Sequence, residues 1–318
     1  MLIGFGIEIK LLNNRALLMN KRGNLMRSEE EIFDLINEIA KNDERIRAVY
    51  MNGSRTNSNV PKDIFQDYDM VFVVTEILTF IKDDCWINLF GDILMVQEPD
   101  KLDKGIGKDM NFNRTYAYLM LFTDGNRIDL RLQTKKEMLS EYGDDKLTIP
   151  LMDKDNILPS IPSPSDIDYH INKPTKEHFE SCTSNFWWCL QNIAKGIWRD
   201  ELPYAKSMYE HTVRDSLDDM VNWWIGIEQN FQVSTGKFGK YFKSYLPQSY
   251  WAMYEETYSN SDYTQMWHSI FTACDLFRIL SQDVATHFNF TYPIKDDHHM
   301  TQYLRHIQKL PPDAKRIY

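Results

Sequence analysis

Three carboxylates and a glycine-serine pair carry chemistry in their spacing. Gly53-Ser54-Arg55 is followed, thirteen residues after Ser54, by Asp67-Tyr68-Asp69. On a strand, residues i and i+2 share a face, so Asp67 and Asp69 point together into one site. Two like charges that close repel unless a cation stands between them, and hard oxygen ligands favour Mg2+. Asp129 is the third member. In Arg127-Ile128-Asp129-Leu130-Arg131-Leu132 the apolar residues alternate, turning Ile128, Leu130 and Leu132 to a core and Arg127, Asp129 and Arg131 to the opposite face. A neighbouring strand would bring Asp129 beside the pair. Gly53 lets backbone approach a phosphate, and the Ser54 hydroxyl and adjacent amides can donate to it. A lone Asp-x-Asp at a strand start is more often a solvated edge. The strand, the Gly-Ser, the fixed gap and the later strand carboxylate together are far more specific.

The elements that must position these groups can be read in outline. Residues 28 to 42 predict a helix, with Ser28-x-x-Glu31 as a capping box and Ile32, Leu35, Ile36 and Ile39 as its apolar stripe. Ile46 to Tyr50, Met70 to Val74 and Ile93 to Gln97 predict strands. Tyr116 to Phe122 and Arg127 to Leu132 flank Thr123-Asp124-Gly125-Asn126, the composition of a β-hairpin turn. Pro159, Pro162, Pro164 and Pro174 then forbid a long helix and mark residues 158–174 as a linker. Beyond it Phe179, Cys182, Phe186, Cys189, Ile193 and Ile197 recur at helical spacing. The fold class expected is α+β: an N-terminal domain with a mixed β-sheet flanked by helices over residues 26–157, then a C-terminal helical bundle over 175–292. Residues 293–318, with His298-His299, are expected to be a solvated tail.

Composition narrows the function. The 318 residues carry 36 basic and 46 acidic side chains, a formal charge of −10. That balance disfavours a grip on nucleic acid, which needs clustered Lys and Arg, and suits a cationic small molecule. No run of about 18 apolar residues could span a bilayer. Cys85, Cys182, Cys189 and Cys274 form neither a CxxC pair nor a regular framework, and are read as reduced core thiols of a cytoplasmic protein.

The residues also resemble a known family. Gly53-Ser54, Asp67-Tyr68-Asp69 and Asp129 look like the polymerase-β-type nucleotidyltransferase pattern. Arg47-Ala-Val-Tyr-Met-Asn-Gly-Ser-Arg-Thr-Asn57, Val60-Pro-Lys-Asp-Ile-Phe-Gln-Asp-Tyr-Asp69, Gln97-Glu98-Pro99-Asp100, the stretch from Leu121 to Leu130, Phe186-Trp187-Trp188 and Ala194-Lys195-Gly196 narrow it. These resemble aminoglycoside 6-adenylyltransferases, the streptomycin-modifying resistance enzymes, from about Met26 to about Tyr292. The resemblance implies transfer of AMP from ATP to the 6-hydroxyl of streptomycin, with release of pyrophosphate. It implies Mg2+ held by Asp67 and Asp69, and Asp129 as general base, further metal ligand or both. Other acceptors, or an inactive nucleotide-binding regulator on the same fold, are the alternatives. The family words outside the catalytic motif speak against the first, and the presence of all three carboxylates against the second. Residues 1–25 are expected to be an extension ahead of a functional start at Met26. Oligomeric state, monomer or weak dimer, is left open.

Further contacts follow. Arg55 either reaches a phosphate or pairs with a surface carboxylate. Trp188, Asn192, Lys195 and Arg199 form one helical stripe; the resemblance makes Lys195 a nucleotide contact. Thr235-Gly-Lys-Phe-Gly-Lys240 is no Walker loop, but resembles a basic loop that related enzymes direct at the triphosphate, through Lys240 and Lys237. The two guanidinium groups of streptomycin call for carboxylates, for which Glu98 and Glu201 are the candidates. The paired tryptophans Trp187, Trp188, Trp223 and Trp224 are expected to be mostly core.

Overall fold

The computed structural model describes residues 25–83 and 85–318, which form two compact units dividing between Asp168 and Tyr169. The expectation for the N-terminal extension therefore falls, Leu25 apart, outside the described residues. The first unit opens with α1 (Glu29–Asn42), whose capping box is formed: the Ser28 hydroxyl accepts from the Glu31 amide, and the Glu31 carboxylate accepts from the Ser28 amide. There follow β1 (Ile46–Asn52), β2 (Tyr68–Val74), β3 (Ile93–Gln97), α2 (Pro99–Gly105), β4 (Thr115–Phe122), β5 (Arg127–Thr134), α3 (Lys135–Glu141) and β6 (Thr148–Asp153). The six strands make one mixed sheet in the order β3-β4-β5-β2-β1-β6, with β2 and β5 parallel and every other pair antiparallel.

One face of the sheet packs on α1, where Ile32 and Ile36 meet Val49, Phe72, Leu130 and Leu132. On the other face Ala48, Tyr50, Val71 and Val73 lie beneath Met138 of α3. Strand β2 is thus buried on both sides, which explains its unbroken apolar run. Strand β6 is not foreseen, because Pro150 argues against a strand. It pairs only with β1, at the sheet edge, where a proline's missing N–H need not cost a ladder hydrogen bond.

The second unit is the helical bundle: α4 (Lys176–Trp198), α5 (Leu202–Met208) running through a π-helical turn (Tyr209–Val213) into α6 (Arg214–Glu228), α7 (Gln248–Glu256), α8 (Tyr263–Phe288) and α9 (Ile294–Gln308). Phe186 of α4 stacks on Phe277 of α8 with ring centroids 3.7 Å apart at its centre. Among the described residues no helix is long and apolar enough to cross a membrane.

Three expectations are corrected, and the tryptophan one holds with a single exception. Residues 293–318 are not simply a tail, because α9 buries Leu304 and Ile307 in the helical core. The linker's first half is built into the first unit: Leu158 packs on the α3 face, and Asp166 accepts from the side-chain amides of Asn57 and Asn59. Cys85 is exposed, unlike the other three free cysteines. Trp188, 67% exposed, points away from the core that buries Trp187 and Trp224.

Candidate active site

Register assembles the site. Asp69 of β2 lies directly beside Asp129 of β5 in the parallel pair, with Asn52 of β1 on its other side and Thr148 of β6 beyond. The row is tied at its end by the Thr148 hydroxyl, which donates to the Asn52 side-chain oxygen at 2.9 Å. Asp67, two residues before Asp69, precedes β2 on the same face. The chain leaves β1 through Gly53 at φ 78°, in the left-handed region that glycine enters freely. A Cβ built there would stand 2.1 Å from Asp69 Oδ2. Only glycine allows the backbone so close to that carboxylate. Ser54 then opens a single tight helical turn, Ser54–Thr56.

The carboxylates press on one another. Burial, then the charges of Asp129 and Asp67, push Asp69 up to about 6. Burial chiefly, with Asp129 adding and Arg127 opposing, also raises Asp67. Asp145, in the turn before β6, adds to the negative field on Asp69; nothing in the spacing of the sequence signals it. Arg127 answers this field by direct contact. Arg127 donates through Nε and Nη2 to both oxygens of Asp129, at 2.8 and 2.7 Å, while its Nη1 stands 3.4 Å from Asp67 Oδ2. Its hydrogen bonds to Asp129, helped by the charges of Asp67 and Asp69, hold the guanidinium pKa above its usual value.

Three like-charged oxygen donors on one face suit a hard divalent cation, and the glycine cradle at Gly53 leaves Asp69 uncrowded. Among the described residues, however, no three acidic, His or Cys side chains converge on one point as they stand. Arg127 engages both Asp129 oxygens.

The remaining candidates sort differently. Arg55 does not face a ligand: its guanidinium donates to the Asp67 and Gln66 carbonyls at 3.0 and 2.7 Å and stacks 3.7 Å over Tyr68, leaving the side chain 6% exposed. It buttresses the loop that carries Asp67. Glu98 is not a bare carboxylate either. The Tyr116 hydroxyl donates to it at 2.5 Å and Lys101 at 2.9 Å. Lys195, Glu201 and Lys240 belong to the second unit. Lys195 is half-buried near the end of α4. Glu201 is exposed at the start of α5, makes no capping bond there, and has Arg199 at 4.0 Å. Lys240 lies 5.0 Å from the Tyr241 ring, in a loop bent by positive φ at Gly236, Phe238 and Gly239.

The known proteins that this chain resembles form a coherent set. A family model described as streptomycin adenylyltransferase matches residues 26–307. An aminoglycoside 6-adenylyltransferase of Campylobacter jejuni is 40% identical over 285 residues, covering 89% of this chain and 97% of the relative. Its counterpart in Bacillus subtilis is 37% identical over 273 residues, covering 86% and 95%, and one from Staphylococcus aureus is 34% identical over 269 residues, covering 84% and 94%. A crystal structure of an aminoglycoside 6-adenyltransferase from Bacillus subtilis, 32% identical, covers 90% of this chain and all of its own, with a TM-score of 0.45.

Proposed function

The chain belongs to the streptomycin adenylyltransferase family and is an aminoglycoside 6-adenylyltransferase, and we propose that its acceptor is streptomycin, modified at the 6-hydroxyl with AMP from ATP. The observation that carries the reading is the β2–β5 register, which sets Asp69 beside Asp129 with Asp67 on the same face, and Gly53 against Asp69. In the proposed reaction the acceptor oxygen attacks the α-phosphorus. The bond from that phosphorus to the bridging oxygen breaks, pyrophosphate leaves, and the hydroxyl proton passes to the Asp129 carboxylate. Mg2+ bound by Asp67 and Asp69, with Asp129 as a further ligand, would neutralise charge developing on the departing pyrophosphate. Gly53 and Ser54 supply the close backbone approach and the donor for phosphate oxygens.

From the resemblance we assign Lys195 and Lys240 to the nucleotide and Glu201 to a guanidinium group of the acceptor. Glu98 serves there only by giving up part of its bonding to Tyr116 and Lys101. An ATP-consuming reaction of this kind belongs in the cytoplasm. Mass spectrometry of streptomycin incubated with the protein, ATP and Mg2+ tests the whole reading: one AMP adduct is expected, with kanamycin-type and spectinomycin-type drugs unmodified. Equal turnover of kanamycin would sink the acceptor assignment.

A further inference from the structure

Arg127 pairs with both oxygens of Asp129, so a divalent cation drawn to that carboxylate meets a positive charge already in place. We propose that Arg127 is a nucleotide-binding residue that exchanges partners, releasing Asp129 and Asp67 and taking the ATP triphosphate as the nucleotide enters. This rests on the adenylyltransferase reading above.

Four features carry it. The guanidinium fork that fits a carboxylate also fits a phosphate, so the exchange keeps the same charge-assisted geometry on a new anion. Arg127 has room to move, its side chain being 44% exposed. Its backbone, in contrast, is anchored. The turn just before it is pinned where Arg27 Nε donates to Asp124 at 2.5 Å and the Asn126 amide donates to the Arg27 carbonyl at 3.1 Å. Finally, Arg55, the arginine beside Ser54, is locked to two carbonyls and the Tyr68 ring.

The exchange also couples two events. Arg127 and a divalent cation compete for the same carboxylates, so release of the arginine and arrival of the metal favour each other. Competition with the cation follows from the ion pair itself, so weakened binding of the nucleotide is what separates a nucleotide contact from a purely structural arginine.

Calorimetric titration of the full chain separates the possibilities, using a non-hydrolysable ATP analogue with Mg2+ and, separately, Mn2+ alone. Arg127→Gln should weaken the analogue by about tenfold or more, the scale of a lost charged hydrogen-bond pair, and should tighten Mn2+. Arg127→Lys keeps the charge without the fork. It should weaken the analogue by a smaller factor and leave Mn2+ near wild type, so it carries the test if the Gln variant folds poorly. Unchanged analogue affinity in the variants, or Mn2+ affinity in Arg127→Gln that is unchanged or weaker, overturns the inference. A wild-type chain that binds no analogue overturns the adenylyltransferase reading and this inference with it; a binding wild type and an equally binding variant overturn this inference alone.

Discussion

Asp69 and Asp129 stand side by side in the β2–β5 register, yet their neighbours treat them oppositely. Asp69 is buried among like charges that disfavour its ionised form, whereas Asp129 has a guanidinium across both oxygens. Asn substitutions should therefore act alike on catalysis and differently on stability. Each of Asp67→Asn, Asp69→Asn and Asp129→Asn should cut AMP transfer by about two orders of magnitude or more, the scale on which positioned electrostatic groups act. In melts without nucleotide, Asp69→Asn should match or exceed the wild type, because a repelled charge is removed. Asp129→Asn should match it or fall slightly, since its partner is a half-exposed arginine. Near-wild-type transfer by Asp129→Asn would remove it from the site. The trio was legible because alternation and the i, i+2 rule depend on the sequence alone. The arginines were not. What Arg55 and Arg127 do is set by partners brought from elsewhere in the fold, and both are equally charged, mobile side chains on paper.

At the scale of elements, the legible ones announce themselves by period and punctuation. The β4–β5 hairpin shows alternation on either side of an Asp-Gly turn, and α1 carries both a cap and a stripe. Two elements lack such marks. In β6, Pro150 reads as a breaker and is tolerated only because the strand is at an edge. In α9, Leu304 and Ile307 are a sparse apolar stripe set among Asp296, Asp297, His298 and His299, so the segment reads as solvent-facing. Its place is fixed by a partner no pattern predicts: Arg278 of α8 donates through two nitrogens to Asp297 at 2.6 Å each, and the Tyr292 hydroxyl donates to the same carboxylate at 2.8 Å. If α9 belongs to the core, Leu304→Ala should destabilise the chain by about 3 kcal/mol, as a buried leucine truncation does. Chemical denaturation measures this. A midpoint indistinguishable from wild type would mean that α9 can detach without loss, as a tail would.

The whole molecule contributes a field. With a formal charge of −10, the chain should draw in a dicationic acceptor and do nothing similar for an anionic nucleotide. Long-range attraction of that kind is screened once the Debye length shrinks from roughly 30 Å near 10 mM salt to about 8 Å near 150 mM. Steady-state assays over that range should therefore show the KM for streptomycin rising with salt, and rising by a larger factor than the KM for Mg-ATP. Glu201→Gln gives the local counterpart. If that carboxylate meets a guanidinium group, its loss should raise the streptomycin KM at low salt and flatten the salt dependence, because one screened attraction is gone. The Mg-ATP values should move little. A streptomycin KM that ignores salt, in wild type and variant alike, would mean that neither the overall charge nor Glu201 recognises the acceptor. Recognition would then rest on neutral hydrogen bonds and shape, which salt in this range does not touch.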